Sequence, residues 1–130
     1  AGLSASEVQR DRLTLANGFA KKNNAITVLK GAGSIIASPG GDIYINRTGN
    51  PGMARGGSGD LLTGLIGGLL AQGFPPLEAA AKGVYLHGMA GDLAARQLGE
   101  YAMLPSDLLT RLPAAMKSLS CPHSKNERSM

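Results

Sequence analysis

The spacing of apolar and polar residues in the first third of the chain predicts one helix followed by short strands. Residues 4–22 carry apolar side chains at helical intervals, and Ser4 and Glu7 have the spacing of a capping box. Three short apolar runs of β type follow, at residues 25–29, 34–38 and 43–46. A Pro-Gly-Gly-Asp sequence separates the last two runs, which predicts that they form a hairpin.

Two long apolar helices are predicted next. Residues 60–72 form an apolar run that contains three glycines. Glycine lowers helix propensity by about 1 kcal/mol relative to alanine, so we expect this helix to pack closely on a neighbour or under a ligand. Residues 75–98 predict a second helix, which begins at a Pro-Pro pair and ends before Gly99.

The last quarter of the chain predicts shorter elements. Ser106 can cap a short helix, and Pro113 can begin another one because proline is favoured at the first helical position. The stretch from Ser118 onward is polar and aperiodic, and it predicts a mobile tail. We therefore place one domain at residues 1–119 and a flexible polar tail at residues 120–130.

The composition favours an α/β protein that handles a small anionic ligand. Of the 130 residues, 19 are glycine and 7 are proline, and this excess suggests tight turns and close approach of backbone to a ligand. The formal net charge is +4, but the basic residues are scattered, so nucleic acid is not an expected partner. The single cysteine, Cys121, excludes an internal disulfide and a cysteine-based zinc site.

The apolar residues also allow predictions about the location of the protein and its assembly. The longest nearly apolar stretch, residues 61–71, is too short to span a bilayer, which needs about 20 residues. No signal peptide is visible, and we expect a soluble, cytoplasmic protein with no membrane partner. Three short strands cannot cover the apolar helices, so we expect either that a preceding portion of the domain is absent or that the chain forms a homo-oligomer.

The sequence Gly56-Gly57-Ser58-Gly59-Asp60 carries the main chemical signal. It leads directly into the apolar helix. The backbone N–H groups of a glycine-rich turn and of a helix N-terminus together form a site suited to phosphate. Asp60 has two interpretations of equal weight from this pentapeptide: it is the N-cap of the helix, or it is a base that takes a proton from a hydroxyl during phosphoryl transfer.

Other residues are candidate parts of the same site. In Lys30-Gly31-Ala32-Gly33-Ser34, the lysine can neutralise phosphate and the glycines can let a nucleotide approach the backbone, although a plain turn with a solvated lysine is favoured from these residues alone. Residues 48–52 form either a plain loop or a lid that excludes water. His87 is interpreted as a packed residue with no metal role. Arg55 is either a phosphate partner or an exposed loop cation.

The stretch Gly-Asn-Pro-Gly-Met-Ala-Arg-Gly-Gly-Ser-Gly-Asp-Leu-Leu-Thr-Gly, residues 49–64, resembles the signature of the ADP/ATP-dependent NAD(P)H-hydrate dehydratases of the ribokinase-like superfamily. The resemblance extends from residue 28 to residue 107 in matching segments, and it covers most of residues 4–118. It implies an α/β, ribokinase-like three-layer fold of which this chain is the C-terminal portion. The N-terminal portion, with much of the parallel sheet and a His-Pro-Gly-Glu segment, is then expected to be absent.

The resemblance also implies a reaction. The family repairs NADH and NADPH that have become hydrated at the ring: ADP or ATP phosphorylates the ring hydroxyl, and phosphate then leaves. Asp60 would be catalytic and would contact the NAD(P)H hydrate, and Asn50 would bind this substrate too. Mg²⁺ would bridge the nucleotide phosphates, with no protein ligand identified for it. The nucleotide would be held by Lys30, Gly31, Ala32, Gly33, Ser34, Gly57, Ser58 and Gly59.

Several features leave alternatives open. Ser34 and Arg55 depart from the family pattern, which usually has threonine at the first position and a small or hydroxyl residue at the second. The resemblance implies an epimerase as an N-terminal partner or fused domain. Besides the dehydratase, two other functions stay open: a kinase of the same superfamily that acts on a small alcohol, and a non-catalytic nucleotide-binding or self-associating fragment.

Overall fold

A computed structural model describes residues 4–120, and it confirms an α/β arrangement. One helix precedes three strands, and a short 3₁₀ helix and three longer helices follow them. The elements are α1 (Ala5–Asn23), β1 (Thr27–Leu29), β2 (Ile35–Ala37), β3 (Ile43–Ile45), the 3₁₀ helix (Pro51–Met53), α2 (Ser58–Ala71), α3 (Pro76–Leu98) and α4 (Pro105–Ser120).

α1 begins with the predicted capping box. The hydroxyl of Ser4 accepts the N–H of Glu7, and the Glu7 carboxylate accepts the N–H of Ser4 at 2.7 Å. The backbone N–H of Ser4, and to a smaller extent its side chain, hold the pKa of the Glu7 carboxyl below its ordinary value. The helix ends at Asn24, which adopts a left-handed conformation with φ of 48°.

The three strands form an antiparallel sheet in the order β1-β2-β3. Ile36 of β2 pairs with Val28 on one side and with Tyr44 on the other, which confirms the predicted hairpin between β2 and β3. Because side chains alternate across a strand, Ile35 and Ala37 pack against α1 while Ile36 packs against α2 and α3. The sheet is therefore the middle layer of three.

α4 is one helix where the sequence predicted two. Pro113 lies inside it and removes one helical hydrogen bond. Leu108 and Ala115, on either side of this proline, are both buried in the cluster that joins α4 to α3. The expected break at Pro113 is therefore wrong, because packing on both sides of the proline keeps the helix continuous.

The two ends of α4 also differ from expectation. Its first turn is closed by Asp107, whose carboxylate accepts the N–H of Leu104 at 2.7 Å, so Ser106 is not the cap. Residues 118–120 are helical, although the sequence assigned them to a mobile tail. The rest of the predicted tail, residues 121–130, lies outside the described residues.

α2 packs closely on α3, as the sequence predicted, but its own glycines do not lie at that contact. A Cβ added to Gly64, Gly67 or Gly68 would meet no other part of the chain within 4 Å. The close approaches are on α3, where a Cβ added to Gly83 would overlap Ile66 of α2 and one added to Gly88 would overlap Thr48. α3 is thus the surface against which α2 and the loop after β3 are packed.

Apolar surface remains uncovered on the outer helices. Leu15 and Phe19 of α1 are 62% and 54% exposed, and Leu109 of α4 is 56% exposed. This agrees with the expectation that three short strands do not cover the apolar helical faces. Among residues 4–120, no helix has the length and apolar character needed to cross a membrane.

Candidate active site

A cavity of about 740 Å³ lies where the β1–β2 turn, the loop after β3, α2 and α3 meet. Lys30, Arg47 and Arg55 line it, whereas none of its lining residues is Asp or Glu. Leu62 and Val84 contribute apolar surface. The fold therefore gathers cations that are scattered in the sequence, and the cavity is suited to an anionic ligand.

Residues 30–34 form one wall of the cavity, which we call the turn wall. Gly31 and Gly33 have φ of +152° and +68°, conformations that strongly favour glycine. The hydroxyl of Ser34 donates to the carbonyl of Gly31 at 3.1 Å and accepts its N–H at 3.3 Å. Ser34 therefore closes the turn, and the wall presents mainly backbone and the Lys30 side chain.

The N-terminus of α2 lies beside the turn wall. α2 begins at Ser58, and its N-cap is Gly57, with φ of +94° and no side-chain hydrogen bond. The N–H groups of Gly59 and Asp60 lie in the first turn, where the helix has no preceding carbonyl to accept them. The Nζ of Lys30 is 2.8 Å from the position that a Cβ on Gly59 would occupy. The Lys30 ammonium group therefore lies beside the first turn of α2, which carries the free amides.

Asp60 is the third residue of α2, so the N-cap interpretation is wrong. It is exposed, and no hydrogen bond or ion pair engages its carboxylate within the part of the chain that the structure describes. Ser58 lines the cavity, whereas Gly57, Gly59 and Asp60 are adjacent to it and are not among its lining residues. The Asp60 carboxylate is therefore exposed and unpaired among the described residues, two positions after the lining residue Ser58.

Residues 48–53, all of which except Gly52 line the cavity, form a second wall, which we call the loop wall. It contains the 3₁₀ helix, which the sequence did not predict, and Asn50 is its N-cap, accepting the N–H of Gly52 at 3.0 Å. The hydroxyl of Thr48 donates to the carbonyl of Tyr85 in α3 at 2.9 Å. Arg55, just after this wall, donates a hydrogen bond to the carbonyl of Tyr101. The segment is anchored to the helices and is not a plain loop.

His87 is the functional candidate that sequence reasoning missed. It is buried as predicted, with 6% exposure, yet it lines the cavity, and its Nε2 lies 3.2 Å from the Ser58 hydroxyl. Burial lowers the pKa of His87, a hydrogen bond with the backbone of Ser58 acts in the opposite direction, and the charge of Lys30 lowers it further. A neutral imidazole therefore orients the first residue of α2. No local pattern pairs two residues 29 positions apart.

Comparisons with known proteins identify relatives of this architecture. A family model described as NAD(P)H-hydrate dehydratase matches residues 2–114. The bifunctional NAD(P)H-hydrate repair enzyme of Moorella thermoacetica is 54% identical over 91% of this chain and 22% of its own length. The ADP-dependent (S)-NAD(P)H-hydrate dehydratase of Neisseria meningitidis is 45% identical over 75% of this chain and 33% of its own length.

Solved structures show the same fold. The ADP/ATP-dependent NAD(P)H-hydrate dehydratase of Bacillus subtilis, co-crystallised with ATP/Mg²⁺ and soaked with CoA, superposes with a TM-score of 0.81 at 36% identity, over 91% of this chain and 44% of its own. A ribokinase-like superfamily protein of Enterococcus faecalis gives 0.74 at 38% identity, over 85% and 38% respectively. This chain spans less than half the length of these relatives. It has a ribokinase-like fold and belongs to the NAD(P)H-hydrate dehydratase family.

Proposed function

We propose that this chain supplies the nucleotide-binding wall and the catalytic base of a dehydratase that uses ADP or ATP to repair NAD(P)H hydrate. The observation that carries the proposal is the convergence of Lys30 with the free amides of the α2 N-terminus, next to the unpaired carboxylate of Asp60. Phosphoryl transfer needs both parts, because charge on the phosphoryl oxygens must be stabilised and the attacking hydroxyl must lose its proton.

The turn wall and the α2 N-terminus bind the nucleotide in this proposal. Lys30 neutralises phosphate charge, and the N–H groups of Gly59 and Asp60 donate to phosphate oxygens. Gly31 and Gly33 leave space for the nucleotide against the backbone. His87 acts indirectly, because it orients Ser58. Arg47 and Arg55 add positive charge to the cavity. Relatives named ADP-dependent, and one structure containing ATP, support a nucleotide as the ligand.

Asp60 serves as the base. It accepts the proton of the ring hydroxyl as that oxygen bonds to the terminal phosphorus, and the bond from this phosphorus to the bridging oxygen breaks. ADP thereby yields AMP, or ATP yields ADP. The ring nitrogen lone pair then expels phosphate, and loss of a proton from the neighbouring ring carbon restores the double bond. Asn50, which lines the cavity, is proposed as a further substrate contact.

The described residues do not form a magnesium site of their own. No group of three or more His, Cys, Asp or Glu side chains within residues 4–120 is placed to hold a metal ion. The cavity lining contains no carboxylate, the side chain by which proteins usually bind Mg²⁺. One relative was co-crystallised with ATP/Mg²⁺, and we propose that Mg²⁺ would bind here through the nucleotide phosphates.

The chain is proposed to act within a larger assembly. Several relatives are named bifunctional repair enzymes, and this chain matches 22% of the length of the Moorella relative. We therefore propose a second repair activity, an epimerase, in a fused or partner domain. A cytoplasmic location and self-association stay predictions of the sequence.

The test combines nucleotide binding with restoration of the reduced nicotinamide. The chain is titrated with ADP and with ATP, and hydrated NADH or NADPH is then added while the absorbance of the reduced ring is followed. Asp60→Asn is expected to lower turnover by about 10²-fold or more, the usual contribution of a general base, with nucleotide affinity nearly unchanged. Asp42→Asn, an equal charge change in the β2–β3 turn, is the control.

Two results would contradict the proposal. Full turnover by Asp60→Asn would remove the base assignment, and absence of any ADP or ATP binding by the unaltered chain would remove the nucleotide site. A panel of small alcohols with ATP separates the kinase alternative, which predicts a phosphorylated alcohol and no recovery of reduced nicotinamide. The family match favours the dehydratase over this kinase.

A further inference from the structure

One carboxylate of α3 links the helix to the loop wall of the cavity. Asp92 Oδ2 accepts the N–H of Gly49 at 3.0 Å, and its Oδ1 accepts the side-chain Nδ2 of Asn50, also at 3.0 Å. These partners lie 43 and 42 residues away in the sequence. Asp92 does not line the cavity itself, whereas Gly49 and Asn50 do. Its influence on a ligand must therefore act through the loop wall.

The carboxylate decides which way the Asn50 amide points. Asn50 Oδ1 accepts the N–H of Gly52 at 3.0 Å, which closes the 3₁₀ helix Pro51–Met53. The two ends of an amide have nearly the same shape, but one donates and the other accepts. Because a carboxylate only accepts, Asp92 holds the NH₂ end toward α3 and leaves the oxygen for Gly52. The chain of bonds runs from α3 through Asn50 into the turn.

The helix face around Asp92 is shaped to receive this wall. A Cβ added to Gly88 would overlap Thr48, and one added to Gly91 would overlap the sulfur of Met53. Positions three and four apart lie on one face of a helix, so Gly88, Gly91 and Asp92 form a single surface. The two glycines let the loop wall approach α3 closely, and the Asp92 carboxylate fixes the position of the wall along the helix. This arrangement concentrates the polar contacts of the wall on Asp92.

We propose that Asp92 is a positioning residue, which holds the Gly49–Gly52 turn in the conformation that completes the nucleotide cavity. The proposal rests on the proposed function, since it takes the ligand to be ADP or ATP. The proposal predicts that loss of the Asp92 carboxylate weakens ADP binding, whereas electrostatics alone would predict stronger binding. Removal of a negative charge near a cation-lined cavity strengthens the binding of an anion, whereas loss of the positioned wall weakens it.

The test exchanges the two side chains. In Asp92→Asn, an amide nitrogen faces the NH₂ of Asn50, and one hydrogen bond is lost whichever way either amide turns. In Asn50→Asp, two carboxylates face each other. The double variant D92N/N50D restores all three bonds and reverses only the one between positions 92 and 50: the amide at 92 accepts from Gly49 and donates to the carboxylate at 50, which still accepts from Gly52. Its net charge equals that of the unaltered chain.

ADP affinity of the full chain is measured by titration calorimetry, with thermal unfolding and hydrogen exchange of the Gly49 and Gly52 amides as parallel readouts. We expect Asp92→Asn to weaken ADP binding about tenfold, which corresponds to the loss of a hydrogen bond to a charged group. We expect D92N/N50D to restore slow hydrogen exchange at Gly49 and Gly52, whereas ADP affinity recovers only in part because the carboxylate has moved onto a residue that lines the cavity. Asp42→Asn, the charge-matched control outside the cavity, should leave affinity unchanged or slightly stronger.

Each outcome decides the proposal. Tighter or equal ADP binding by a folded Asp92→Asn variant overturns it, as does a folded double variant whose Gly49 and Gly52 amides exchange as fast as those of Asp92→Asn. If Asp92→Asn does not fold, the double variant decides alone, and failure of both to fold overturns positioning in favour of a purely structural role. If the unaltered chain binds no ADP, the proposed function fails instead. Hydrogen exchange then decides whether Asp92 orders the turn, because faster exchange at Gly49 and Gly52 must be reversed by the double variant.

Discussion

The two walls of the cavity are built in different ways. The turn wall, residues 30–34, is closed by its own short segment: Ser34 bonds back to Gly31, and left-handed conformations at Gly31 and Gly33 reverse the chain. The loop wall, residues 48–53, is held by α3, whose contacts lie some 40 residues further along. One wall is therefore defined by local conformation, and the other depends on tertiary packing. Disturbing α3 should damage only the second.

The largest expected effect follows from Gly88→Ala. A Cβ at this position would overlap the side chain of Thr48 and would lie 2.6 Å from its backbone carbonyl carbon, which cannot move without the loop wall. Overpacking of this kind costs about 2 kcal/mol of unfolding free energy. Chemical denaturation measures the loss, and ADP affinity should fall with it.

Gly64→Ala is the matched control for that substitution. This glycine is in the middle of α2 with no other part of the chain near its Cβ position. Alanine there should raise stability by up to about 1 kcal/mol through helix propensity. Equal effects of the two substitutions would mean that the loop wall does not depend on a close approach to α3.

The contrast between the walls also shows what the sequence could predict. The capping box at Ser4 and Glu7, the β2–β3 hairpin and the end of α3 before Gly99 are short-range features, and the structure confirms each of them. The glycine-rich start of α2 was recognisable for the same reason. Its boundary was two residues late, since Ser58 already belongs to the helix and Asp60 is its third residue.

Apart from errors in caps and helix boundaries, the errors and omissions involve contacts distant in sequence. Glycine composition suggested a close contact on α2, but only tertiary structure shows that Gly88 and Gly91 of α3 have that role. Pro113 has the local character of a helix start, and burial on both sides of it overrides that preference. His87 and Asp92 act through partners on other elements, and no periodicity in one sequence reveals such pairs.

Lys30→Ala should give the next largest effect and should act on the turn wall alone. The ammonium of Lys30 lies above the first turn of α2, where the phosphates are proposed to bind. Its removal should weaken ADP binding about tenfold at low salt, in line with a hydrogen bond to a charged group. The difference should shrink at high salt, because screening weakens the interaction of an exposed charge.

Lys21→Ala is the charge-matched control for Lys30→Ala, since Lys21 lies in the last turn of α1 and does not line the cavity. Both variants should unfold at nearly the same denaturant concentration as the unaltered chain. If Lys21→Ala weakened ADP binding as much as Lys30→Ala does, the effect would be one of net charge and not of position.

His87 lies on α3 and bonds to α2, and it links stability to pH. The pKa of His87 is lowered in the folded chain, chiefly by burial, so below its ordinary value of 6.5 the unfolded chain binds a proton that the folded chain does not. Stability should therefore be fully present above pH 6.5 and should fall as the pH drops toward the folded pKa. The slope from one group cannot exceed about 1.4 kcal/mol per pH unit.

His87→Gln checks this assignment between pH 6.5 and about 5. Glu7, whose pKa is also lowered, has an ordinary value of 4.5 and loses its contribution in a more acidic range. The variant should lack the slope that the unaltered chain shows in this interval, as measured by chemical denaturation at several pH values. An unchanged slope would mean that other groups carry the pH dependence.

The smallest expected effect comes from the contact between α1 and the turn wall. Arg12 of α1 donates from Nη1 to the carbonyl of Ala32 at 2.8 Å, while its Nη2 is buried without a partner among the described residues. Arg12→Met removes the anchor but also removes an unsatisfied buried donor, so stability should change little. ADP affinity should fall about threefold, because a single anchor on a locally closed turn contributes less than about 1 kcal/mol.

Arg10→Met, an equal charge change at an exposed position of the same helix, should leave affinity unchanged. A loss of tenfold or more in Arg12→Met would show that the turn wall depends on tertiary packing as much as the loop wall does, and the distinction between the two walls would fail.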